Sequence, residues 1–440
     1  MRRPPWIDRW APAAALAVLW VASRIGMVWI WRTRSWTIVG DVYYYAASVG
    51  SIGRLGLSEY PSPLAWLLLV LTWLAGGDPT RFLHLFVALM VLLDLITTVM
   101  LWRLTTRRSA VYWTVFLALI GPLVWCRIDL IPACLVTWTL VLARRAPGTS
   151  GVALALGAGA KFWPALLLGP LLGGRGEAVA RARGFLLIGA ALGITSLVVT
   201  GWTRSVSPLV WQSDRGLQIE SVSATWLMWR HTSSPNITVS YTRHLAFELS
   251  GPSVAGWLNV SAVLMAAAIA LAGALAWLVA WSGVGLRGHS AATRRLPERS
   301  GDLAWIQVLG ALAITSAIIV ANKSFSPQYL MWLAGPLALL AGHTTHPGRR
   351  VAVLGWCLLG WATALLTQVV YPLGYDGLIA NPGDAGVTAC LIARNTGMVV
   401  LAASTTIAAL AGAINLGRVG EPGKLTREPG GAPRPGPREA

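Results

Sequence analysis

Four groups of residues in this chain have types and spacing that could do chemistry. The first is Gly40-Asp41-Val42-Tyr43-Tyr44-Tyr45, directly after the first long apolar run. A carboxylate at such a boundary, flanked by tyrosines and partly removed from water, can take a proton from a sugar hydroxyl. Asp41 could equally cap a helix over Val42 to Val49, and both readings stand here. A second acid, Glu59, begins the stretch Glu59-Tyr60-Pro61-Ser62-Pro63. Arg127 and Asp129 lie in the short link Trp125-Cys126-Arg127-Ile128-Asp129 between apolar runs. Charges so near hydrocarbon are costly unless they pair or serve a cavity, and mutual pairing of the two is the simpler account.

The second group is cationic. Of 35 basic residues only three are lysines, and Lys161 and Lys323 both sit inside apolar sequence. In a chain that otherwise uses arginine, a compact ammonium there suggests a phosphate or carboxylate partner, with chance as the rival account. The third group is the polar stretch Gly201 to Ala255, which contains Trp211-Gln212-Ser213-Asp214-Arg215-Gly216-Leu217-Gln218-Ile219-Glu220-Ser221, then His231 and His244. Its donors, acceptors and tryptophan suit a carbohydrate, although the 24 tryptophans as a group also serve as interfacial anchors. The fourth is Asn322-Lys323-Ser324-Phe325-Ser326-Pro327-Gln328-Tyr329, a non-helical junction of the kind tolerated at membrane depth where it lines a cavity. Asp94 and His84, within an apolar run, read as packing or unassigned groups. Cys126, Cys134, Cys357 and Cys390 are scattered and read as core, with no metal spacing. The expectation is no metal and no cofactor, with Asp41 plus Glu59 or Glu220 left open as ligands.

The elements that must carry these groups follow from composition. The chain of 440 residues is 55% hydrophobic and 12% charged, far below the roughly 25% charge of soluble domains. Its apolar runs recur at the length needed to cross a bilayer, about 20 residues at about 1.5 Å each. The net charge of +18 is spread as short arginine clusters between those runs, which argues for topology and against nucleic acid. Ala11 to Trp31, preceded by Arg2, Arg3 and Arg9, reads as a retained first span and not a cleaved signal. The Arg- and Ala-rich usage looks bacterial, so the Asn236-Ile237-Thr238 sequon carries no function.

Arginine placement decides two ambiguous stretches. Leu64 to Leu74 is too short to span comfortably, and laying it on the outer surface keeps Arg103, Arg107, Arg108, Arg144 and Arg145 inside. Val152 to Leu172, interrupted by Gly157, Gly159, Lys161, Trp163 and Pro164, reads as two half-spans meeting at Lys161, which returns Arg175, Arg181 and Arg183 to the cytoplasm. The other spans are expected near residues 82–102, 111–125, 130–143, 185–200, 256–281, 303–321, 329–341, 351–370 and 397–414. The result is an all-α polytopic membrane protein of about twelve hydrophobic segments with both ends inside. Residues 1–416 form the membrane domain, and 417–440, rich in Pro, Gly and Arg, a disordered basic cytoplasmic tail.

With these residues in hand, the sequence resembles the polyprenyl-phosphate-mannose-dependent transferases of glycosyltransferase family 87, membrane enzymes of the GT-C fold. The matching pieces are Asp41-Val42-Tyr43-Tyr44, Tyr60-Pro61-Ser62-Pro63, Arg127-Ile128-Asp129, Lys161-Phe162-Trp163-Pro164, Arg215 to Ser221, and Asn322-Lys323 with Ser326-Pro327-Gln328-Tyr329. They occur in family order over about residues 10 to 415, with Ser62-Pro63 where the family commonly has Pro-Pro. The resemblance implies a GT-C-type helical bundle in the bacterial cytoplasmic (plasma) membrane with an extracytoplasmic active site. It implies an inverting transfer of a sugar, mannose above all, from a polyprenyl-phosphate donor to a lipid or glycan acceptor. Asp41 would be the base. Lys323, Lys161 and Arg127, in that order, would hold the donor phosphate. Tyr44, Glu59, Tyr60, Asp129, Trp163, Arg215, Gln218, Glu220, Asn322 and Gln328 would line the substrate site. Two other readings compete: a transporter or lipid flippase, and a non-catalytic partner in envelope assembly. No inverted repeat is visible, and the polar residues favour the outer ends of spans over the midplane, which counts against transport.

Overall fold

The computed structural model describes residues 5–49, 56–282, 297–343 and 347–418. Residues 419–440, nearly all of the expected tail, lie outside the described residues, as do Arg2 and Arg3. The helices are α1 (Pro5–Val49), α2 (Ser62–Leu74), α3 (Pro79–Leu104), α4 (Arg107–Ile120), α5 (Leu130–Leu142), α6 (Pro147–Ala160) and α7 (Arg175–Asp214). They continue with α8 (Thr225–His231), α9 (Val254–Trp281), α10 (Pro297–Ala321), α11 (Met331–Gly342), α12 (Pro347–Gln368), α13 (Tyr375–Ile379) and α14 (Ala385–Arg418). Among the described residues seven helices are long and apolar enough to cross a membrane, which makes the chain a multi-pass membrane protein. The most apolar stretch of α10 is 83% buried whereas that of α7 is 6% buried. The first helix therefore runs through the core of the bundle, while the most apolar stretch of the second lies at its outside.

Breaks in the helices put polar residues where the chemistry could be. α1 bends at Arg34, whose φ of −136° leaves the helical region, and the following turns carry Gly40 to Tyr45. Asp41 lies within this helix and not before it, so it caps nothing. α6 ends at Ala160. Lys161 is extended at φ −158° and ψ 132°, and a 3-10 helix, Trp163–Leu171, takes over with Pro164 in its first turn. The interruption expected at Lys161 is present, with a 3-10 helix in place of a second α half-span. α7 does not stop near Thr200: Gly201, at φ 76°, kinks it and the helix continues to Asp214. Only glycine tolerates that dihedral without strain. A 3-10 turn, Pro327–Leu330, joins α10 to α11.

Polar pairs inside the bundle fix helices to one another. Arg24 on α1 binds Asp94 on α3 at 2.7 Å and donates to the Thr114 carbonyl of α4 at 2.8 Å. Trp113 Nε1 completes the set by donating to Asp94 at 3.0 Å. Asp94 is thus a packing group with its counter-charge in the neighbouring helix. Arg181, expected as topological punctuation in the cytoplasm, is buried. It donates to the carbonyls of Leu171, Ala143 and Gly173, occupying the ends of α5 and the 3-10 helix. α6 and α7 meet backbone to backbone, because a Cβ at Gly151 would overlap the Arg181 carbonyl.

Beyond α7 a small cap covers one end of the bundle. Strands β1 (Thr238–Tyr241) and β2 (Phe247–Ser250) pair antiparallel, Thr238 opposite Ser250. The segment after Arg215 joins them, with Ile219 N donating to Phe247 O at 3.1 Å and Leu249 N to Leu217 O at 2.9 Å. Leu217, Ile219, Met228, Leu249 and Leu378 form an apolar cluster beneath this cap, separate from the main core.

Candidate active site

At the end of the bundle under the cap lies a half-open cavity of about 450 Å³. Helix α1 contributes Asp41 and Tyr44 after its bend, and the loop before α2 contributes Glu59 and Tyr60. The α4–α5 link gives Arg127, the α6 break Lys161, the cap Arg215, Gln218 and Glu220, and the α10–α11 turn Gln328. The bent end of α1, the break at Lys161 and the turn at Pro327 therefore open onto this one space.

The charges in it pair in a crossed pattern. Arg127 Nε lies 2.9 Å from Asp41 Oδ2, while Lys161 Nζ donates to Asp129 Oδ1 at 2.7 Å. Arg127 and Asp129, two residues apart, do not pair with each other; each reaches a partner far away in sequence. The arginine is buried and committed: Nη1 donates to the carbonyls of Ile38 and Cys126 at 2.7 and 2.9 Å, and Nη2 to the Tyr371 hydroxyl at 3.1 Å. It holds Asp41 from behind, and the aspartate side chain keeps 43% of its surface open. Lys161 has one carboxylate partner and lies 4.3 Å from the Tyr329 ring centre and 4.9 Å from that of Trp332. An ammonium has three protons to donate, so this cation keeps donors for a ligand.

Several expected residues stand one layer back. Asp129 is fully buried and also accepts from Trp332 Nε1 at 2.9 Å, so it fixes Lys161 without lining the cavity. Trp163 stacks on Trp332 at 4.7 Å, which in turn stacks on Tyr329 at 4.2 Å. Asn322 accepts from Gln212 Nε2 at 2.9 Å. Lys323 donates its ammonium to the Ser213 carbonyl at 2.9 Å, and its own carbonyl accepts from Gln218 N at 3.0 Å. Burial lowers the Lys323 pKa, opposed by Glu248 and Asp214. Lys323 is not among the cavity-lining residues.

The remaining acids divide by partner. Glu220 binds Arg394 at 2.7 Å, both fully buried, and Arg394 Nη2 also donates to the Glu220 carbonyl at 2.6 Å. Burial pushes the Glu220 carboxyl above its ordinary range, with Arg394 pulling it back. Its carboxylate locks the Arg215 to Ser221 segment onto α14. Glu59 is half-buried beside Tyr44. Burial raises its carboxyl, against its own backbone N–H, Tyr44, Arg215 and Arg204. The Tyr44 hydroxyl is raised in turn by burial and by Glu59. Arg204, past the α7 kink, donates to the carbonyls of Tyr60 and Leu57 at 3.0 Å each and so holds this loop. Arg215 donates to the His244 carbonyl at 2.9 Å.

Sequence reasoning missed Tyr371, Tyr375, Tyr241 and Arg394. Tyr371, Tyr375, Phe247 and Tyr241 form an edge-to-face series with centroids 4.8, 5.8 and 5.1 Å apart, running from Arg127 to the hairpin. The pair Tyr371-Pro372 at the end of an apolar run repeats the pattern of Tyr60-Pro61 and could have drawn notice. Arg394 gave a weaker signal, as one arginine within a long helix. Among the described residues no group of three or more His, Cys, Asp or Glu could hold a metal ion.

A carboxylate with an open face, fixed by a buried arginine, together with an ammonium that has spare donors, suits the movement of a proton on one side and the neutralising of an anion on the other. The family model described as glycosyltransferase family 87 matches residues 59–297, which includes Glu59, Arg127, Lys161, Arg215 and Glu220; Asp41 enters the same cavity from before the match. No curated protein and no solved structure matches the chain.

Proposed function

The chain belongs to glycosyltransferase family 87, and from that premise we propose an inverting transfer of mannose from a polyprenyl-phosphate donor to a lipid or glycan acceptor. The observation that carries the reading is that Asp41 and Lys161 line one cavity while each is fixed by a separate partner, Arg127 and Asp129. Asp41 accepts the proton of an acceptor hydroxyl as that oxygen bonds to the anomeric carbon. The bond from that carbon to the phosphate oxygen breaks on the opposite face, and polyprenyl phosphate leaves with the electron pair. A β-linked donor gives an α-mannoside.

The departing phosphate gains negative charge, and preorganised cations in a water-poor site are the strongest means of stabilising it. Lys161 leads in that role because its donors are spare. Arg127 contributes charge but is held by its acceptors, and Lys323 acts through Gln218 and Ser213. Glu59, Tyr44, Tyr60, Arg215, Gln218 and Gln328 contact sugar, and the cap residues receive the acceptor. No metal or cofactor enters the step.

Arginine placement supports an arrangement of about twelve hydrophobic segments, α2 lying in the outer interface, in a bacterial plasma membrane. Ser62–Leu74 is 13 residues long, short of a span. The cavity then faces outward, away from the arginine clusters. Membership of a transferase family favours this reading over transport or scaffolding. The test is purified protein in nanodiscs with radiolabelled polyprenyl-phosphate-mannose and a panel of lipid and glycan acceptors. Label should move to an acceptor in an α linkage; turnover only with a pentosyl donor, or transport of label without transfer, would refute the proposal.

A further inference from the structure

A second cavity of about 630 Å³ lies at the opposite end of the bundle, where α3, α5 and α11 finish and α4 begins. The length of α10 between the two ends, 21 residues from Gly301 to Ala321, separates them by about 30 Å. Its walls are mixed. Leu140, Val141 and Val308 are apolar, Arg144 and Arg145 stand at the exposed rim, and Glu177 is the one carboxylate among the described lining residues. Gln307 lines it from α10, 2% exposed, and its Nε2 has no hydrogen-bond partner. A buried amide donor left unpaired is destabilising, so an acceptor belongs there. At the floor Gly342 packs directly against Ser109 and Thr106, whose hydroxyls a Cβ would overlap.

We propose that this cavity binds the phosphodiester headgroup of an anionic phospholipid, with Arg144 and Arg145 facing the phosphate and Gln307 donating to a headgroup oxygen. The end of the bundle agrees with that ligand. It is where the arginine clusters gather, the side read as cytoplasmic, and basic pockets between membrane helices on that side recruit anionic headgroups. Apolar walls below a charged rim match an amphiphile better than a free ion. The site is distinct from the sugar-transfer cavity and shares no residue with it.

Native mass spectrometry of the detergent-purified full chain tests this, with phosphatidylglycerol, phosphatidylcholine and inorganic phosphate as separate probes. Phosphatidylglycerol should be retained in preference to phosphatidylcholine. The double variant Arg144→Gln with Arg145→Gln should lose about 30-fold in that preference, Gln307→Leu should lose a smaller part, and Arg144→Lys with Arg145→Lys should keep most of it. Thermal unfolding without lipid, matched across variants, shows that each is folded. Equal retention by wild type and the double Gln variant would overturn the proposal. Inorganic phosphate binding as tightly as the lipid would overturn it too, by making the cavity a phosphate-ion site.

Discussion

Arg127 faces Asp41 at 2.9 Å and not Asp129, its neighbour two residues along the chain. The pairing joins the α4–α5 link to the bent end of α1. It makes the orientation of Asp41 depend on a guanidinium that is itself pinned by Ile38 O, Cys126 O and Tyr371. Lysine cannot reproduce that fork. Arg127→Lys should therefore fold but lose about 10²-fold in kcat, the scale of a misplaced reacting group, with donor KM changing much less. Steady-state kinetics of the variant in nanodiscs checks this; an unchanged kcat would show that Asp41 needs no such support.

Lys161→Met removes the cation that has spare donors and leaves Asp129 buried without its partner. If the ammonium stabilises the leaving phosphate, kcat/KM for the donor should fall about 10²- to 10³-fold, as when one preorganised donor is lost. Lys161→Arg should recover part of it. Because Asp129→Asn keeps the shape and frees the ammonium, it should cost less than Lys161→Met. The reverse order, measured with labelled donor, would place the phosphate elsewhere.

Glu59 supplies a pH dependence. Burial raises its carboxyl in the folded state, so the protonated form is favoured by folding. The stability this contributes is fully present below the unfolded carboxyl pKa of about 4.3 and is lost as pH rises through the elevated folded value. Over that window the unfolding midpoint of wild type should fall relative to Glu59→Gln, which cannot titrate. Parallel curves for the two proteins would contradict the assignment.

Glu220 and Arg394 form a fully buried pair. Breaking one by Arg394→Met should destabilise by about 3–5 kcal/mol because an uncompensated charge remains. The double variant Glu220→Gln with Arg394→Met should be less damaged than the single one. Thermal unfolding of the four proteins in detergent gives the coupling, and additive losses would mean that the pair acts as two independent groups.

What was legible in the sequence is mainly where the chain breaks. Pro164 and the glycines before Lys161 marked the end of α6, Pro327 marked the turn after α10, and the arginine clusters marked the opposite end of the bundle. Local chemistry dictates those features, so local sequence discloses them. Pairing is different. Asp41 with Arg127, Lys161 with Asp129 and Glu220 with Arg394 each close a long loop, and nothing near any of these residues names its partner. The placement of Lys323 followed the same logic: its type and surroundings suggested a ligand contact, while the fold turns its ammonium to the Ser213 carbonyl. Gly201 misled in another way. Read as a stop, it is a kink that lets α7 run on to Asp214 and carry Arg204 to the Glu59 loop.

The central claim is that the open carboxylate of Asp41 takes the acceptor proton. Asp41→Asn keeps the shape and removes the base, so single-turnover transfer from labelled polyprenyl-phosphate-mannose should fall by at least about 10²-fold, with the donor dissociation constant changed less than about three-fold. Transfer at the wild-type rate by a folded Asp41→Asn protein would contradict the account.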